Sequence, residues 1–171
     1  IGSDQKGEVY WLWDRSRRQQ RKLFTVRPQL EAYTLAPMES LDLRARDGRR
    51  LPAYLTRTPL AASVPQPLVL LVHGGPQARD YWGLNSTHQL LANRGYHVLS
   101  VNYRGSTGVG KALLLAGEGE WYGRMQDDLV DAVNWAVAEG FADPDRLVIM
   151  GASYGGYAAL AGLTRGPELA R

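Results

Sequence analysis

Two kinds of hydrophobic spacing divide this chain. Up to about residue 60, apolar and polar positions alternate or fall in short aromatic and β-branched runs; beyond it, continuous apolar runs take turns with stretches of helical spacing. Val9-Tyr10-Trp11-Leu12-Trp13 and Leu23-Phe24-Thr25-Val26, separated by the charged residues 14–22, predict a strand, a turn and a strand. A lone hairpin is marginal in water. Residues 1–35 therefore read as the last piece of a neighbouring β unit with a linker bracketed by Pro28 and Pro37. Leu41, Leu43 and Ala45 then alternate with polar partners, Asp47-Gly48 supplies a turn, and Leu51, Ala53 and Leu55 resume the period of two, which predicts an antiparallel hairpin.

Residues 68–72 form an unbroken apolar run of the kind expected for a strand covered on both faces. Ser86 and Gln89 have the spacing of a capping box, Leu90 and Leu91 share one helix face, and Gly95 suits the position after a helix. Val98-Leu99-Ser100-Val101 predicts the next strand. Met125, Leu129, Ala132, Val133, Ala136 and Val137 recur at helical spacing up to Gly140, Leu147-Val148-Ile149-Met150 predicts another buried strand, and residues 154–163 are rich in small side chains that can pack closely on a sheet. This alternation predicts an α/β fold, a mostly parallel sheet with helices on both faces and right-handed crossovers, over residues 36–171. Neither internal repeats nor low-complexity tracts interrupt it.

Composition narrows the classes. At 171 residues, 44% hydrophobic and 22% charged, the chain can bury a core and is not disordered. Without cysteine it has no disulfide, thiolate metal site or cysteine nucleophile. Its longest apolar runs, 68–72 and 112–116, fall far short of the roughly 18 residues that span a bilayer, so no membrane span is expected. The net charge of +3 comes from 20 Lys and Arg against 17 Asp and Glu. The one basic cluster, Arg15, Arg17, Arg18, Arg21 and Lys22, reads as a solvated turn, and no nucleic-acid partner is expected. The chain opens on Ile1 with no signal pattern, so a start inside a longer parent is expected; the compartment stays open, with the cytoplasm as the default.

Chemistry concentrates at two turns. Gly151-Ala152-Ser153-Tyr154-Gly155-Gly156 sits between a buried strand and a helix, the context of the nucleophile elbow G-x-S-x-G. A strand that reverses at once into a helix brings two backbones together, so side chains at Gly151 and Gly155 would collide and Ser153 is forced outward. There its oxygen faces unpaired N–H groups and the positive end of the helix dipole. His73-Gly74-Gly75-Pro76, at the end of an earlier strand, is similar to an HGGG-type oxyanion loop. The expected oxyanion donors are the backbone N–H groups of Gly75 and Tyr154, while His73 reads as a structural residue of the loop. Gly105 to Lys111 matches the core of a phosphate-binding loop, but Ala112 stands where a Ser or Thr must hold magnesium, so this loop is expected to border the cleft instead. Asn85-Ser86-Thr87 reads as part of a helix cap, and Asp127 and Asp128 as carboxylates complementing a helix dipole. Trp121 and Tyr122 either line a pocket or simply pack.

Taken in order, His73-Gly74-Gly75-Pro76, Asn102-Tyr103-Arg104-Gly105-Ser106-Thr107-Gly108, Gly119-Glu120-Trp121, Met125-Gln126-Asp127-Asp128 and Gly151 to Tyr157 resemble the prolyl oligopeptidase family of serine peptidases, most of all its acylaminoacyl-peptidase branch. The resemblance covers residues 38–171. It implies the N-terminal part of an α/β-hydrolase domain preceded by a β-propeller, whose tail residues 1–35 would be. It further implies a short-peptide substrate, acylaminoacyl or aminoacyl, hydrolysed through an acyl-enzyme on Ser153 without cofactor or metal. One departure matters. The triad of this fold runs Ser, then Asp or Glu, then His, yet residues 154–171 contain neither Asp nor His, and His73, His88 and His97 all precede the serine. The expectation is an incomplete hydrolase domain, inactive alone, whose acid and base lie in the parent outside this chain. It would associate through an exposed sheet edge, with itself or with the rest of the parent. An esterase or lipase is the enzymatic alternative. A non-catalytic binding module is the reading if the parent ends at Arg171.

Overall fold

The computed structural model describes residues 2–60 and 65–165; the end of the expected hydrolase span, 166–171, lies outside the described residues. Strands β1 (Val9–Asp14) and β2 (Gln19–Thr25) form an antiparallel two-stranded sheet. The charged loop expected over 14–22 is shorter than that. Asp14 Oδ1 accepts from the N–H groups of Ser16 and Arg17 at 2.9 and 3.0 Å, closing the turn early. Arg21 and Lys22 therefore lie within β2, opposite Leu12 and Trp11. Tyr10 and Leu12 point to one side and Trp11 and Trp13 to the other, yet all four are exposed, so neither face of this hairpin is covered. A 3₁₀ turn, Pro28–Ala32, follows it.

Five strands make the main sheet: β3 (Met38–Arg44), β4 (Arg50–Thr56), β5 (Gln66–Val72), β6 (His97–Val101) and β7 (Ala142–Gly151), in the order β3-β4-β6-β5-β7. The pairs β3/β4 and β4/β6 are antiparallel, while β5 is parallel to both β6 and β7, giving a mixed sheet. Helices α1 (Ser86–Ala92), α2 (Lys111–Leu115), α3 (Arg124–Ala138) and α4 (Tyr154–Thr164) complete the fold. The register aligns Leu55, Leu99, Leu70 and Ile149 across the sheet. That face packs with Met125, Leu129, Ala132 and Val133 of α3 and Ala158 of α4. The opposite face carries Val98 and Val69 and is covered by α1 through His88, whose ring nitrogens meet Thr56 Oγ1 at 3.0 Å and Ser100 Oγ at 2.9 Å. Beyond the reach of α1, Val148 and Met150 on the edge strand β7 are exposed.

The cap of α1 corrects the expected box of Ser86 and Gln89. Asn85 is the N-cap, its Oδ1 accepting from the N–H groups of Thr87 and His88. Gln89 is thereby free to turn away from the helix: its carboxamide pairs with both the N–H (2.9 Å) and the C=O (2.7 Å) of Ala36, fastening the incoming linker.

Two contacts hold the ends of the strands in place. The segment leaving β6 is anchored by Arg104, which donates to Asp128 of α3 from its backbone N–H and from Nε and Nη2 at 2.7–2.8 Å, and which also pairs with Asp47 at 3.0 Å. Arg104 and Asp128 are both buried, and the carboxylates hold the guanidinium protonated well above its ordinary value. Asp128 is thus an ion-pair anchor and not simply a helix-dipole complement. At the other contact, α4 starts three residues after the end of β7. A Cβ on Gly151 would come within 2.6 Å of both the Gly155 carbonyl carbon and the Val72 oxygen, and a Cβ on Gly155 would run into that same Val72 carbonyl.

Both contacts can be tested on the full-length protein by urea unfolding of this domain. Asp128→Ala leaves the buried Arg104 guanidinium with Asp47 alone and is expected to lower stability by about 3 kcal/mol; a loss below about 1 kcal/mol would show that the pair is solvated. Gly155→Ala forces α4 off the strand ends and is expected to cost at least about 2 kcal/mol, against near-neutrality if the helix can shift freely.

Candidate active site

The chain passes from β5 to β6 on one side and later returns to β7 on the other, so the carboxyl ends of β5 and β7 flank a topological switch point, where open α/β sheets bind ligands. His73-Gly74-Gly75-Pro76 leaves the end of β5, and Ala152-Ser153 leaves the end of β7.

Ser153 sits in the turn with φ 56° and ψ −122°, a conformation non-glycine residues rarely hold without a compensating reason. The residue is exposed, and its side chain makes no capping bond to α4. In the first turn the N–H of Gly155 goes to Ala152 O at 2.9 Å and that of Tyr157 to Ser153 O at 3.0 Å. Tyr154 follows the serine directly, and as the first residue of α4 its N–H has no intrahelical acceptor. Its ring is buried beside Tyr103, Trp121 and Tyr157, with centroids 5.0–5.7 Å away, and burial raises its phenol pKa.

Gly74 and Gly75 form the opposing wall. A Cβ on Gly74 would lie 3.3 Å from Ser153 Cβ and 3.8 Å from its Oγ, so the loop backbone passes the serine with no spare room for a side chain between them. Gly75 has φ 125°, and a Cβ there would meet the backbone nitrogens of Gln77 and Ala78 at 2.6 and 2.9 Å. Of the pair, Gly74 is the one that abuts the serine; reading the sequence singled out Gly75 alone, although the doubled glycine was itself the signal.

All three histidines are engaged elsewhere. His73 Nδ1 is 2.8 Å from Gly74 O and Nε2 is 2.9 Å from Ser106 Oγ, with the ring stacked on Tyr103 at 4.4 Å. His88 bridges Thr56 and Ser100, and His97 Nδ1 accepts from the N–H of Thr58 at 3.0 Å. Burial depresses the pKa of each, that of His88 to about 4, and so favours the neutral form. The 105–110 loop packs against the 73–78 turn: besides the Ser106 contact, the Thr107 N–H donates to Ala78 O at 2.9 Å. Trp121 is half-exposed against Tyr154 and Tyr157, while Tyr122 lies under the Arg165 guanidinium. Among the described residues, no helix is long and apolar enough to cross a membrane.

The sequence matches the prolyl oligopeptidase family over residues 82–169. It is 53% identical over 167 residues to dipeptidyl aminopeptidase BIII of Pseudoxanthomonas mexicana, covering 94% of this chain and 24% of that one. It is 29% identical to the acylamino-acid-releasing enzyme of Arabidopsis thaliana, covering 91% of this chain and 22% of that one. A solved puromycin-hydrolyzing peptidase of Mycobacterium tuberculosis superposes with a TM-score of 0.84 at 28% identity, covering 98% of this chain and 26% of that one. The chain thus spans about a quarter of the length of the curated relatives it matches. Its parallel strand ends, the glycine-framed serine turn and the sequence match agree, and the chain belongs to the prolyl oligopeptidase family.

Proposed function

We propose that the protein containing this chain is a serine peptidase that hydrolyses short peptides, acylaminoacyl or aminoacyl, through an acyl-enzyme on Ser153. The observation that carries the reading is an exposed serine held at φ 56° between two strand ends with the Gly74 backbone against it. In this reading the Ser153 oxygen attacks the peptide carbonyl, and the N–H groups of Tyr154 and Gly75 stabilise the oxyanion. The hydroxyl proton passes to a base and from there to the leaving amine; water then releases the acyl group. No metal or cofactor takes part.

Acid and base come from residues outside this chain. The family order Ser, Asp, His supports this, as do the three engaged imidazoles and the greater length of the relatives. Residues 36–171 would be the first part of the hydrolase domain and residues 1–35 the end of a preceding propeller, whose uncovered hairpin faces would pack within that propeller. Release of N-terminal dipeptides is the specificity suggested by the name of the 53% identical relative, and release of acylated residues by that of the plant enzyme. No nucleic-acid or membrane partner belongs to this reading.

In the full-length protein, Ser153→Ala is expected to lower hydrolysis of dipeptidyl and acylaminoacyl chromogenic substrates by about six orders of magnitude and to abolish fluorophosphonate labelling; labelling that persists in the variant would refute the assignment. Matched ester and amide substrates separate a peptidase from an esterase. A protein that neither hydrolyses nor labels would be the binding module.

A second expectation concerns assembly. Val148 and Met150 on the edge strand, with Leu160 and Leu163 on α4, leave apolar surface for the remaining strands and helices of the domain. The 171-residue polypeptide expressed alone is expected to sediment as oligomers, and a monodisperse, cooperatively unfolding monomer would overturn this.

A further inference from the structure

We infer that Arg79 forms a subsite for the C-terminal carboxylate of a short peptide, so that the enzyme favours substrates whose free carboxyl end lies close to the scissile bond. This deepens the serine-peptidase reading above and rests on it.

The turn that begins at His73 carries the chain from the serine to Arg79. Gly74 lies against Ser153, a Cβ on Gly75 would meet the Ala78 nitrogen at 2.9 Å, and Arg79 is the next residue. Beyond it opens a cleft of about 770 Å³, lined by Arg79, Asp80, Tyr81 and Trp82 on one side and by Glu8 and Arg27 on the other.

Four groups seat the Arg79 guanidinium, and all of them are neutral. Nε donates to Asp80 O at 3.2 Å, Nη1 to Gly108 O at 3.3 Å and Nη2 to the Tyr54 hydroxyl at 3.4 Å, while Cζ stands 4.6 Å from the centre of the Tyr81 ring. Gly108 makes room for this seat: a Cβ there would lie 2.8 Å from Arg79 Cδ and would run into Nη1. Arg46, Arg50, Arg57, Arg104 and Arg146 each meet a carboxylate at 2.6–2.8 Å. Among the described residues, no carboxylate comes within ion-pair distance of Arg79. Its side chain is thus oriented without being neutralised.

A guanidinium has five N–H groups. Three are taken, and one on each Nη is left, a pair that the two oxygens of a carboxylate can accept. The neighbouring Asp80 is not that carboxylate. Its side chain bonds to Ser100, its Oδ2 is buried with no partner, and burial raises its pKa to about 6, whereas a cation in contact would hold it down. A short peptide carries one anion whatever its sequence, the C-terminal carboxylate; its other end is an ammonium or an acyl cap. The uncompensated cation on the loop that leaves the serine therefore selects by the carboxyl end.

The test uses the full-length enzyme with a tripeptide and a hexapeptide that share their first three residues, each as free acid and as C-terminal amide. It reads the ratio of kcat/KM for acid over amide. For the tripeptide the ratio is expected to be about tenfold or more in the parent and near one in Arg79→Met. For the hexapeptide, whose carboxylate lies three residues or about 10 Å further on, it is expected near one in both. A parent tripeptide ratio near one would overturn the proposal. So would an Arg79→Met enzyme that loses acid and amide hydrolysis by the same factor, the mark of a structural side chain, or a hexapeptide ratio as large as that of the tripeptide, the mark of a long-range field. Should Arg79→Met fail to fold, Arg79→Gln takes its place with the same expectations. Tripeptide hydrolysis that survives Ser153→Ala would instead refute the serine reading on which the proposal rests, a result distinct from all of these.

Discussion

The contact between the first turn of α4 and the carbonyl of Val72 constrains everything else at this end of the sheet. Room for it exists because Gly151 and Gly155 carry no Cβ. Since the helix must begin immediately beside β5 and β7, the chain cannot relax through an ordinary loop, and Ser153 takes up the reversal at φ 56°. Such a conformation costs about 1–3 kcal/mol, and it persists because the strands on one side and the buried Tyr154 and Ala158 on the other over-determine it. Exposure of the serine is thus a consequence of helix-on-sheet packing. The same close approach leaves the Tyr154 N–H beside the serine.

Periodicity in the sequence was informative wherever one packing rule governed a segment. The runs at 68–72 and 98–101 became neighbouring strands parallel to each other, and the spacing between Met125 and Val137 became α3, because their apolar side chains meet in one core. It failed where polar side chains decide the outcome. Asp14 shortens the first turn by accepting two backbone N–H groups, which moves Arg21 and Lys22 into a strand that charge alone had marked as loop. Asn85 and Ser86 are both good caps by composition; which of them serves is settled by Gln89 being needed at Ala36, a contact between residues 53 positions apart.

The same distinction divides the site. The serine turn was legible because its constraint is local: glycines on either side of one residue, after an apolar run and before a small-residue helix. The supports of the 73–76 loop were not. Tyr103 and Ser106 stand 30 and 33 positions from His73, and Asp128 stands 24 from Arg104. No spacing rule links such pairs. Gly105 to Lys111 resembled a phosphate loop because its three glycines all take positive φ, and Gly105 is approached by Gly117, whose Cβ would lie 2.5 Å from the Gly105 Cα. Glycine spacing reports backbone conformation; what packs there depends on partners elsewhere in the chain.

The three histidines show why a count of candidate bases misleads. A neutral imidazole carries one donor and one acceptor on different edges of a rigid ring, and burial keeps these three neutral by penalising the charge. That makes each a strut able to join a carbonyl or hydroxyl on one element to a hydroxyl or amide on another, as His88 joins Thr56 to Ser100 and His73 joins Gly74 to Ser106. A general base needs the opposite arrangement, with one nitrogen free to take a proton and a neighbour that stabilises the resulting cation. His73 lies on the loop beside the serine turn, but both its nitrogens are already engaged, by Gly74 O and Ser106 Oγ, and its burial disfavours the cation that a base must form. Its engagement on both edges therefore argues for a fixed neutral ring there.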